Sequence, residues 1–95
     1  MPAPTKFQVQ MHYDAMQLLT ERQITFQNET EERSTDTALK LTFRDVALWI
    51  FKDGVNVVGG ESDRAFEAED FKNLETLKTE CLDYLKSLPQ LLPPE

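Results

Sequence analysis

Few residues in this chain could do chemistry. The one histidine, His12, stands two positions from Asp14 and beside Tyr13, and a histidine near a carboxylate is the minimum for acid–base work. On a helix, however, positions 12 and 14 diverge by about 200°. The pair would then not meet, and an ordinary boundary histidine is the simpler reading. The one cysteine, Cys81, would need a lowered pKa to act as a nucleophile. It falls inside an apolar helical stripe and reads as a small core residue. One His and one Cys cannot assemble the usual nitrogen and sulfur ligands of zinc. Gly59-Gly60 belongs to no phosphate-loop pattern and reads as a turn. On this reading there is no catalytic residue, no metal and no cofactor.

Recognition residues are better represented. Residues 28–37 carry Glu29, Glu31, Glu32 and Asp36 against Arg33. Residues 61–70 carry Glu61, Asp63, Glu67, Glu69 and Asp70 against Arg64. Their charges of −3 and −4 equal the net charge of the whole chain, −7. The first segment lacks the D-x-D-x-D-G spacing and distal Glu of a calcium loop. A solvated loop is its plainest reading, and a docking surface for a basic partner, including mimicry of nucleic-acid phosphates, is the functional one. The second segment has a structural explanation of its own, at the positive end of the C-terminal helix. Such a chain should be repelled by nucleic acid and anionic membrane and drawn to basic partners. Trp49 and Phe51, with Ala47 and Val58, form the other candidate, an apolar set on the second face of a strand.

The elements that must hold these residues centre on Thr37 to Gly59. Leu39, Leu41 and Phe43 alternate with Lys40 and Thr42, the period of a half-buried strand, and Val46, Leu48 and Ile50 continue the set. A turn at Arg44-Asp45 faces Phe43 to Val46, Leu41 to Leu48 and Leu39 to Ile50. A second turn at Asp53-Gly54, where glycine tolerates positive φ, would pair Ile50 with Val57 and Leu48 with Gly59. Gln23 to Gln27 reads as a further short strand with Ile24 and Phe26 inward, leading into a polar loop from Asn28 to Asp36. Arg64 to Ala68 fits either an extended piece or an early helical turn.

Two helices flank the strands. Thr5 and Gln8 match a capping box that opens a helix to Glu21, with Phe7, Met11, Ala15 and Leu18 on one stripe and Leu19 at its edge. The alternation of Phe7, Val9, Met11 and Tyr13 would also suit a strand, but no turn signal separates it from the helical run Asp14 to Arg22. The second helix spans about Ala68 to Leu88, on a stripe of Phe71, Leu74, Leu77, Cys81, Leu85 and Leu88, and Pro89 ends it. The PQLLPPE tail should be extended, with Leu91 and Leu92 either docking or free.

The expected fold class is α+β: an antiparallel meander of three to four strands between an N-terminal and a C-terminal helix, in the order α-β-β-β-β-α. The 95 residues make one domain, with residues 1–4 and 89–95 as flexible tails. No charged-then-apolar leader and no apolar run near 18 residues is present, so neither secretion by a signal peptide nor membrane spanning is expected. A lone cysteine fits a reducing cytoplasm. Two arrangements suit the Trp49 face: a helix on each side of the sheet, or both helices on the Leu39 side with Trp49 left open. The functional expectation is a small acidic cytoplasmic protein-interaction module without catalysis, an inhibitor, immunity-type protein, adaptor or accessory subunit. Its partner-binding residues would be Trp49, Phe51, Val58, Glu29, Glu31, Glu32 and Asp36. The alternatives are a homodimer with no separate partner, or an enzyme or small-ligand protein whose pocket gathers His12, Tyr13, Tyr84 or the acidic residues.

Overall fold

Thr5 caps the first helix, α1 (Lys6–Glu21), in the computed structural model, which describes residues 3–60 and 63–92. The expected capping box is made in full: Thr5 Oγ1 accepts from the Gln8 amide, and Gln8 Oε1 accepts from the Thr5 amide. The helix ends in a Schellman motif, with Gln23 at a φ of 60°, the Gln23 amide donating to Thr20 and the Ile24 amide to Leu19. This motif, not a strand, is what turns Ile24 inward. The strand expected over Gln23 to Gln27 is therefore displaced to β1 (Gln27–Glu32), inside the segment expected as loop. All six of its residues are exposed, so no apolar alternation marks it. Pairing makes it a strand: it runs antiparallel to β2 (Thr37–Phe43), and the Arg33 amide donates to Asp36 to close a tight connection.

β3 (Val46–Phe51), β4 (Gly54–Gly59) and β5 (Arg64–Glu67) complete an antiparallel sheet in simple sequence order. The α+β class thus holds with five strands in place of three to four. The Arg44-Asp45 turn and its three facing pairs are as expected, with Arg44 itself at a φ of 50°. The next turn lies one residue earlier than expected, at Lys52-Asp53, so Ile50 pairs with Val55 and Leu48 with Val57. The shift is two residues in register, so every side chain keeps its face. Gly54 serves close approach rather than positive φ, since a Cβ there would lie 2.7 Å from the Phe66 carbonyl oxygen on β5.

A short 3₁₀ turn at Ala68–Asp70 precedes α2 (Leu74–Ser87), which begins later than the expected Ala68 because Phe71 is extended and Asn73 is the cap, accepting from Thr76. Phe71 instead packs near Phe66, ring centroids 6.1 Å apart. Leu77, Cys81 and Leu85 of α2 join Met11, Ala15, Leu18 and Leu19 of α1 in a single core against the Leu39, Leu41 and Leu48 side of the sheet. Both helices therefore cover the same face. Lys78 of α2 bridges to Asp14 of α1 at 2.9 Å, and Gln8, buried to 1% exposure, donates to the carbonyls of Thr37 and Ile50.

The chain end is not extended over Pro89–Leu91, which forms a single 3₁₀ turn. Leu91 is fully buried and Leu92 is 60% exposed, so each of the two expected fates belongs to one leucine. Arg22 donates to the Leu91 carbonyl at 3.0 Å, and Arg44 donates to the carbonyls of Gln90 and Leu92. The tails expected at residues 1–4 and 89–95 lie outside the described residues at 1–2 and 93–95. Among the described residues no helix is long and apolar enough to cross a membrane.

If Leu91 is a core residue, Leu91→Ala lowers unfolding free energy by about 2–4 kcal/mol, and Leu92→Ala changes it by less than about 0.5 kcal/mol. Urea denaturation of both variants measures this, and equal losses would contradict the docked tail.

Candidate functional site

Because both helices lie on one side, no helix among the described residues covers the second face of the sheet. The register arranges that face in three cross-strand rows. Gln27, Thr42, Ala47 and Val58 form the first row, and Glu29, Lys40, Trp49, Asn56 and Ala65 the second. Glu31, Ala38, Phe51, Gly54 and Glu67 form the third. Trp49 and Phe51 are half-buried and stack with centroids 6.3 Å apart and ring planes within 8°. Val58 is 41% exposed. Strand alternation puts all three on one side, as a half-buried strand with an apolar second face requires.

Two cations of the chain lie over these rings. Lys40 Nζ sits 4.7 Å from the Trp49 centroid, and the Arg33 guanidinium sits 5.1 Å from that of Phe51. Each also holds a carboxylate of β1: Arg33 meets Glu31 at 2.8 Å, and Lys40 meets Glu29 at 3.9 Å. The rings are thus bordered on the β1 side by paired charge. Glu29 and Glu31 belong to this face, whereas Glu32 alternates to the other side, opposite Thr37. Asp36 is half-buried in the β1–β2 connection, where its carbonyl accepts from Arg33. Of the seven expected partner-binding residues, the fold gathers Trp49, Phe51, Val58, Glu29 and Glu31 and separates Glu32 and Asp36. Lys40 and Arg33 were not expected to take part. The pairing of Glu29 with Lys40 would have suggested the first, but only once 27–32 was recognised as a strand.

The second acidic segment reaches the same face from the opposite edge. Glu67 lies in the row of Phe51, four strand spacings from Glu31, roughly 19 Å. A depression of about 520 Å³ opens there, lined by Phe51, Asp53, Gly54, Asn56, Glu67 and Glu69 among others. The Glu67 carboxyl is held above the usual carboxylate range, first by its hydrogen bond with Glu69, then by the charge of Glu69, with Asp70 and Asp53 adding to it. Glu61, part of the same acidic segment, lies outside the described residues.

The remaining reactive groups are placed apart. His12 donates from Nε2 to Asn28 Oδ1 at 3.0 Å, while Asp14 pairs with Lys78, so the two side chains serve different partners. Partial burial lowers the His12 pKa, and the Asn28 hydrogen bond opposes the shift. Burial pushes the Cys81 thiol up to about 12, with Arg64 opposing. Tyr13 is exposed, and Tyr84 packs edge-on against Phe66 at 5.7 Å. The depression beside Phe51 gathers acidic residues but none of His12, Tyr13 and Tyr84. Among the described residues no three His, Cys, Asp or Glu side chains converge on a metal position.

Comparison of the chain with protein-family models, curated proteins and solved structures gave no match.

The buried thiol yields a direct check. Aromatic-disulfide labelling of native Cys81 at pH 8 should run at least about a hundredfold slower than in the urea-unfolded chain, because only the thiolate reacts. Comparable rates would contradict the position assigned to Cys81.

Proposed function

We propose that this chain acts without catalysis, as a protein-interaction module that docks a partner through the open sheet face. The observation that carries this reading is the stacked Trp49–Phe51 pair on the side that neither helix covers. A central aromatic pair ringed by polar and charged side chains has the anatomy of a protein interface, and tryptophan is the residue most enriched at binding hot spots. Val58 and Ala47 extend the apolar centre, and Glu29 and Glu31 supply part of the rim.

Charge supports the choice of partner. A net charge of −7 disfavours nucleic acid and anionic membrane surfaces and speeds encounter with a basic protein. A second copy of this chain is the weaker occupant, since two molecules of that charge repel. The fitting roles are those of an inhibitor, immunity-type protein, adaptor or accessory subunit, and a cytoplasmic setting agrees with a single, buried Cys81 that has no disulfide partner within the chain.

Tagged protein used to capture its partner from native lysate provides the test, with mass spectrometry for identity and titration for affinity. Trp49→Ala with Phe51→Ala should weaken the complex at least about 30-fold. Val58→Glu, a change at an exposed position, should also disrupt it. Circular dichroism should show both variants folded. A folded Val58→Glu variant with unchanged affinity would overturn the assignment of this face.

A further inference from the structure

The two acidic segments border one face, but their electrostatic situations differ. On β1, Glu29 and Glu31 have cations of the chain itself, Lys40 and Arg33. At the opposite edge, among the described residues, no Lys or Arg nitrogen comes within 4.0 Å of the carboxylates of Asp53, Glu67, Glu69 or Asp70; the ion pairs of Arg33, Lys40 and Lys78 lie elsewhere. The helix dipole does not compensate them either. Its influence fades within the first turn, and α2 begins only at Leu74, beyond the 3₁₀ turn and the extended Phe71. The structural explanation expected for this segment is therefore removed, and Asp53, Glu67 and Glu69 line a depression together.

That depression is also aromatic on one side. Phe51 lines it, Gly54 adds no side chain between Phe51 and Glu67, and Asn56, in the neighbouring row beside Trp49, supplies a polar group to the wall. From this, and resting on the reading that the open face docks a protein, we propose that the depression receives an arginine side chain from a basic segment of the partner. Arginine fits better than lysine for two physical reasons. Its planar fork can bond carboxylates in pairs, and its weakly hydrated plane stacks on aromatic rings. This fold already places its own guanidiniums in that way: Arg33 over Phe51, and Arg64 over Phe66 at 4.4 Å and over Tyr84 at 5.2 Å. The arginine completes the charge on the β5 edge as Arg33 and Lys40 do on the β1 edge. The partner segment then spans the face with Trp49 and Val58 beneath its apolar part.

The probe is the peptide acetyl-Gly-Arg-Gly-Arg-Gly-amide, compared with its lysine counterpart of equal charge. Trp49, the sole tryptophan, reports binding by fluorescence, and amide chemical shifts locate it. The expected result is a saturable response at low salt, with shifts at Gly54, Asn56, Glu67 and Glu69. The arginine peptide should bind about threefold more tightly than the lysine one. Glu67→Gln with Glu69→Gln should weaken it about threefold to tenfold, whereas Glu29→Gln with Glu31→Gln should leave it within about twofold. Equal binding of the two peptides, equal losses from the two glutamate pairs, or no saturable response would each overturn the arginine site. The reading beneath it fails separately. A captured partner lost with Val58→Glu but kept with Glu67→Gln and Glu69→Gln would overturn the arginine site and leave the interaction face standing. A partner kept by all of these variants would overturn both.

Discussion

One buried amide decides which side of this sheet is open. Gln8 sits at 1% exposure with both ends of its side-chain amide engaged: Oε1 closes the cap of α1, and Nε2 donates to the carbonyls of Thr37 on β2 and Ile50 on β3. A polar group so placed costs stability if any partner is lost. The same residue therefore starts the helix and fixes its docking on the sheet. With α1 held there, Met11, Ala15, Leu18 and Leu19 fill one side of the core, Leu77, Cys81 and Leu85 dock α2 beside it, and the Asp14–Lys78 bridge links the two helices. Both helices are committed to the Leu41 face. The Trp49 face is left to the solvent and to whatever binds it.

The uncovered face has its own internal order. A five-stranded antiparallel sheet ends in two edge strands, and unprotected edges invite pairing with other chains. β1 carries Glu29, Glu31 and Glu32 along its fully exposed length, so repulsion between copies guards that edge. Cations from β2 and the β1–β2 connection then neutralise part of this charge while covering the aromatic rings. The β5 edge is short, and its carboxylates crowd one another instead. Among the described residues, Glu29 and Glu31 on one edge thus meet cations of the chain, and the carboxylates on the other edge do not. This asymmetry gives the face a direction, with paired charge at one end, aromatic surface in the middle and unpaired charge at the other.

The centre of the fold was legible because β2 alternates apolar and polar residues, β3 continues its apolar set on the same face, and two-residue turns separate β2 from β3 and β3 from β4. Even a misplaced turn at Asp53-Gly54 kept every side chain on its proper face, since the error was two residues in register. β1 was not legible: a strand with six exposed polar residues has no periodic signal, and only its pairing with Lys40 and Leu41 creates it. Ile24 pointed inward as expected, but through a helix-terminal motif rather than a strand. α2 shortened because Phe71 left the helical stripe to meet Phe66. Gln8 carried a capping signal and no sign of its burial, because its other partners lie 29 and 42 residues away. Of the candidate site, Trp49, Phe51 and Val58 were readable from alternation alone. That Glu31 and Glu67 flank the same aromatic row was not, because it depends on where both edge strands pair.

The central claim is that the working surface lies on the sheet and not on the helices. Incorporation of the photo-crosslinker benzoyl-phenylalanine tests it most directly, at Val58 on the open face and at Val9 on the solvent side of α1, two exposed positions on opposite sides of the molecule. Irradiation in native cells should give a discrete crosslinked partner from position 58 and none from position 9. A partner captured from position 9 and not from position 58 would contradict the account.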